Sequence, residues 1–193
     1  MLADEHECAE RADATRNREH LLATARSMLD ERGVACMTMD ALAREAGLGK
    51  GTVFRRFGSR LGLLQALLQE TETEFQRAFL SGPPPLGPGA EPVERIVAYG
   101  RARLAMLDVQ GELLNEVAAA PEARTAWAPR SAGHVHVQML LRQAKVEGDL
   151  PVLALHLLSA LDASMTHHET GPGGIPRDRL ADGWDDLVRR IVP

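Results

Sequence analysis

Four cations, Lys50, Arg55, Arg56 and Arg60, fall within eleven residues of a segment that also holds Gly49, Gly51 and Gly58. Cations beside glycines suit contact with a polyanion. A basic side chain neutralises a phosphate, and a residue without a side chain lets backbone come close to it. Lysine at the start of a helix strengthens this, because the unpaired amides of a helix N-terminus already attract anions. Over Lys50 to Phe57 the residues Val53 and Phe57 lie four apart on one face, whereas Gly51, Thr52, Arg55 and Arg56 look the other way. One face packs and the other meets solvent or a ligand.

The elements that must position this face precede it. Thr38 is a good N-cap, and Leu42, Ala43 and Ala46 follow at helical spacing. Gly47 stands where that helix must stop, and Leu48 can fold back into a core. Two short helices joined by a glycine turn, the second small and basic, outline a helix-turn-helix that reads DNA.

With these pieces in order, Thr15 to Leu68 resembles the N-terminal domain of the tetracycline-repressor (TetR) family of transcriptional regulators. TRNREHLLATARSMLDERG matches a first helix, TMDALAREAG a second, GKGTVFRRF a recognition helix and SRLGLLQALL a connecting helix. The resemblance implies that Lys50, Gly51, Thr52, Phe54 and Arg55 lie nearest the bases, with Thr38, Arg56 and Arg60 on phosphates. Two positions depart from the family pattern. Phe54 replaces a usual tyrosine and loses one hydroxyl contact, while Arg60 replaces a frequent lysine and keeps the charge.

Charge follows the motif. The whole 193-residue chain carries −5, yet between Thr15 and Arg60 nine Lys and Arg face five acids and leave +4. Composition, 45% hydrophobic and 4% aromatic, suits an all-α protein. Cys8 and Cys36 lack metal-type spacing and read as free thiols in a reducing cytoplasm. His134 and His136 diverge by about 160° on a helix and cannot chelate together, while His167 and His168 sit at a helix end beside Glu169, so neither metal nor cofactor is expected. There is no phosphate loop, nucleophile elbow or HExxH, which argues against an enzyme. No apolar run reaches membrane-spanning length, and the acidic start is unlike a secretion signal, so a cytoplasmic protein is expected.

The organisation expected is a mobile leader over 1–14, a three-helix DNA-binding domain over 15–60 and a helical ligand-binding and dimerisation domain over 61–193. A fourth helix should end near Ser81, before the proline-rich loop SGPPPLGPGAEP. Further helices are expected from Pro92 to Met106, Gln110 to Ala119, Ser131 to Val146 and Val152 to about His168, and a last one follows GPGGIP. Pro121 and Pro129 bracket a short segment with Trp127.

The helix from Val152 is apolar nearly all round and the last carries one wide stripe, more than a single subunit of this size can cover. A two-fold dimer is therefore expected, with Leu155, Leu158, Leu180, Trp184, Leu187, Val188 and Ile191 at its interface in a four-helix bundle. The resemblance also implies a cavity for a small molecule. Tyr99, Arg103, Asn115, Trp127, His134, Gln138, Arg142 and His156 are its candidate polar groups, although for each a solvated face or a satisfied core is the simpler reading. The function these features imply is a homodimeric repressor that binds a palindromic double-stranded operator and is released by an unidentified small molecule. An architectural DNA protein without ligand control is the alternative, and an enzyme with an unmarked site is a more remote one.

Overall fold

A computed structural model describes residues 2–119, 130–161 and 174–192, with side chains from Asp13 onward except 107–109, 118, 130 and 131. The described residues form helices and no strand. The chain divides into two compact units, Met1–Gln69 and Glu70–Pro193.

In the first unit α1 runs from Leu2 to Arg32. The segment read as a mobile leader is thus helical backbone from Leu2, and its residues explain this: it is rich in alanine and glutamate, with neither proline nor glycine before Gly33. A single tight turn, Val34–Cys36, leads to α2 (Met39–Glu45). The Thr38 hydroxyl accepts the Ala41 amide at 3.1 Å, the capping bond its sequence position predicts. Gly47 then takes φ +66, a left-handed conformation that glycine enters freely, and the Leu48 amide returns to the Ala43 carbonyl at 2.9 Å. Helix α3 (Lys50–Phe57) follows, and α4 (Arg60–Ser81) ends at the expected residue. Leu21, Ala25 and Met28 of α1, Leu42 of α2, Val53 of α3 and Leu63 and Leu64 of α4 are buried together in this unit's apolar interior. A guanidinium from α1, Arg18, lies 5.7 Å above the Phe57 ring.

The second unit contains the end of α4, then α5 (Pro92–Ala119), α6 (Arg130–Gln143), α7 (Leu150–Ser159) and α8 (Arg177–Ile191). Two helices are expected over 92–119, and the structure has one. Between Met106 and Gln110 there is neither proline nor a glycine to stop it. Asp149 caps α7 by accepting the Val152 amide at 3.2 Å, with Pro151 in the first turn where its missing N–H costs nothing. The helix ends at Ser159, short of the expected His168, and residues 162–168 of that expectation lie outside the described residues.

Two of the residues expected at a dimer interface lie in the core of helix α8's own unit. Trp184 and Val188 are buried within their own unit, where the Trp184 indole N–H donates to the carbonyls of Ile96 and Val97 at 3.3 and 3.2 Å. Its ring takes the space a side chain at position 100 would occupy: a Cβ on Gly100 would stand 2.0 Å from it. Leu187 and Ile191 are half-buried against the same core, and Leu180 is half-buried. The centre of the apolar stripe of α8 thus packs within the unit, and a helical wheel shows that a stripe exists without showing what covers it. Arg101 with Asp182 and Asp185, and Arg189 with Glu94, border this packing with exposed ion pairs. On α7, Leu158 is half-buried while Leu155 and Val152 are exposed. On its neighbour α6, Val135 and Met139 are exposed as well.

Candidate nucleic-acid interface

Helix α3 is held from behind and bare in front. Val53 and Phe57 point into the core, while Lys50, Gly51, Phe54, Arg55 and Arg56 are exposed and Thr52 is half-buried. Phe54 is 46% exposed, unusual for a ring that could have packed.

Gly51 is the informative position. It lies inside a helix at ordinary φ, and a Cβ built there would meet nothing within 4 Å. Alanine would fit and would favour the helix by about 0.5–1 kcal/mol. No requirement of the fold explains a glycine at this place.

The cations differ in how they are engaged. Arg55 has no partner among the described residues. Lys50 pairs with Asp40 of α2 at 2.5 Å, both side chains being largely exposed. Arg56 donates to the Ala14 carbonyl. Arg60 is half-buried and donates to the carbonyls of Met37 and Val34 at 2.5 and 2.8 Å. It binds the turn after α1 to the start of α4, a positioning role that the sequence did not indicate. The Thr38 hydroxyl is likewise engaged, as the cap of α2. Asp40 was not among the residues the sequence singled out, and its ten-residue offset from Lys50 carries no helical signal.

The pocket candidates of the second unit scatter. Tyr99 is buried and Arg103 nearly so, but Asn115, Arg142 and His156 are exposed, and Trp127 lies outside the described residues. His134 is half-buried with Nε2 at 2.7 Å from the Pro151 carbonyl, tying α6 to α7, and Gln138 is half-buried. Around Tyr99 the structure gathers groups the sequence did not mark. Arg103 donates to Glu72 at 2.5 Å and lies 5.6 Å over the Phe75 ring. Phe75, Phe79 and Tyr99 pack with ring centres 5.0–5.4 Å apart, and His136 stands 4.5 Å from Phe79. Arg95 is buried at the Phe79 end. Burial pushes the Tyr99 phenol up to about 12, keeping it neutral. Burial, helped by the charge of Arg95, pushes His136 down to about 4. A signal did exist: 72, 75 and 79 share one helix face, as do 95, 99 and 103.

Among the described residues, no group of three His, Cys, Asp or Glu is placed to hold a metal, and no helix is long and apolar enough to cross a membrane.

A basic helix carried on a glycine turn, followed by a separate helical unit, defines a helix-turn-helix protein of two units. Residues 21–67 match the family described as bacterial regulatory proteins, tetR family. It is 33% identical over 69 residues to the HTH-type transcriptional regulator SAB2452 of Staphylococcus aureus (strain bovine RF122 / ET3-1), a stretch covering 36% of this chain and 37% of that protein. The chain thus matches little more than a third of that relative's length. In fold it is similar to the TetR-family transcriptional regulator ECA1819 of Pectobacterium atrosepticum, with TM-score 0.66 and 23% identity over 94% of this chain and 95% of that one. It is also similar to a Saccharomonospora viridis protein solved in complex with choline, with TM-score 0.68 and 19% identity over 91% and 96%.

Proposed function

We propose that this protein is a homodimeric transcriptional regulator that binds a palindromic operator through α3 and is released by a small molecule taken up in the second unit. The observation that carries the reading is Gly51, exposed in a helix that has room for a side chain there. A helix-weakening residue without internal cause points to an external surface that must come close. Lys50 and Arg55 flank it with charge, and Phe54 offers an apolar edge suited to a thymine methyl.

The proposed dimer rests on the exposed apolar side chains of α6 and α7, namely Val135, Met139, Val152 and Leu155. Self-association through this face would present two copies of α3 to a two-fold symmetric site. The choline of the S. viridis protein supports uptake of small molecules by this fold. Effector control follows from linkage: a ligand preferring the conformer with lower DNA affinity weakens operator binding by its differential affinity for the two states.

The test is selection from random duplexes at near-physiological salt. Enrichment of a palindrome is expected, and recovery of no motif contradicts the reading.

A further inference from the structure

Among the described residues the second unit holds a buried cation, Arg95, and a nearly buried one, Arg103, and the structure supplies an acid for the latter. Arg103 has Glu72. Arg95 is 7% exposed and has, among the described residues, one hydrogen bond, from Nη2 to the Phe79 carbonyl at 3.1 Å. Its Nε is buried with no partner, and no carboxylate pairs with it among the described residues. Beside it His136 is 3% exposed, with its ring packed on Phe79 and both ring nitrogens buried without a hydrogen bond. Buried polar groups normally find partners, and a buried cation is costly until a counter-charge reaches it. Three orphaned nitrogens, Arg95 Nε with His136 Nδ1 and Nε2, therefore stand at one end of the ring cluster.

We propose that the second unit binds a small organic carboxylate, with Arg95 as its counter-charge, His136 as a hydrogen-bond partner and the Phe79 ring as a wall for its apolar body. This rests on the reading of that unit as the effector-binding part of a regulator and names the effector's chemical class. The planar fork of a guanidinium fits a carboxylate. The imidazole is neutral at physiological pH, so it adds one N–H donor without a second positive charge. One cation matches one negative charge, which favours a monoanion over a phosphate dianion. A cationic ligand fits poorly, because the buried acid of this cluster, Glu72, is already taken by Arg103. Arg95 also meets a carbonyl in the last turn of α4, where a cation stabilises the helix end. That capping bond uses one N–H and leaves His136 and Arg95 Nε unexplained.

The test is calorimetric titration of the full-length protein with acetate, hexanoate and benzoate, each against its amide. At least one acid should bind saturably and about tenfold or more tighter than its amide, as loss of a charge-assisted bond predicts. Arg95→Met should remove that preference. His136→Phe, which keeps the ring packing, should weaken the same acid about tenfold and holds the test if Arg95→Met does not fold. Acids that bind no better than their amides, or that bind folded Arg95→Met or His136→Phe as they bind the natural protein, overturn the proposal. Operator binding is read on the same samples. A protein that holds its operator while ignoring every acid loses the carboxylate site and keeps the regulator reading.

Discussion

The face of α3 in the first unit and the ring cluster of the second treat charge in opposite ways. In the first, cations stand on the surface: Arg55 is unengaged among the described residues, Lys50 is held by one exposed acid and Arg56 by one carbonyl. In the second, Glu72, Arg95, Arg103 and His136 are buried or nearly so, among rings. Exposed charge costs little to keep and suits a large polyanion that arrives from outside. Buried charge must be matched atom by atom, which suits something small and specific. The difference suits the one to binding by approach and the other to binding by complementarity.

Substitutions should break the two units in different ways. The largest effect is expected from Trp184→Ala, which removes a buried indole and its bonds to Ile96 and Val97; it should cost about 3–5 kcal/mol in urea unfolding. A loss under about 1 kcal/mol would show that α8 does not close the core. Glu72→Leu should come next, at roughly 3 kcal/mol, because it strands Arg103. The double substitution with Arg103→Met should recover most of this, and failure to recover would mean the pair is not the relevant contact.

His136 sharpens the contrast through pH. Its folded pKa, about 4, lies below its unfolded value near 6.5, so its contribution is complete above pH 6.5 and is lost as pH falls towards 4. His136→Phe should lose less stability than the natural protein between pH 7.5 and 5 in urea midpoints. Equal losses would show that the imidazole is not buried neutral. Leu155→Asp should have the smallest effect on folding, within about 0.5 kcal/mol, yet shift sedimentation towards monomer. A dimer that survives it places the interface away from α7.

The sequence made the first unit legible because its determinants are local. Thr38, Gly47 and the Val53–Phe57 pair each act within a turn or two, so capping, termination and facing could be read directly. The interior of the second unit depends on partners far apart in the chain. Glu72 meets Arg103 across 31 residues, and Trp184 meets Ile96 across 88. Helical spacing marks which residues share a face, but not which face another helix covers. For that reason Trp184 and Val188 read as interface and proved to be core, while Arg95 went unmarked and His136 was weighed only as a metal ligand. Arg60 teaches the same lesson inside the first unit, where its guanidinium holds two backbone carbonyls more than twenty residues away, a contact that its charge and position in the motif did not indicate.

Gly51→Ala decides whether the bare face of α3 serves close approach to DNA. Urea unfolding and binding to the selected duplex should be measured on the same preparation. The variant should be as stable as the natural protein or up to about 1 kcal/mol more so, with DNA affinity lowered about tenfold or more. Undiminished affinity in the stabilised variant would contradict that role.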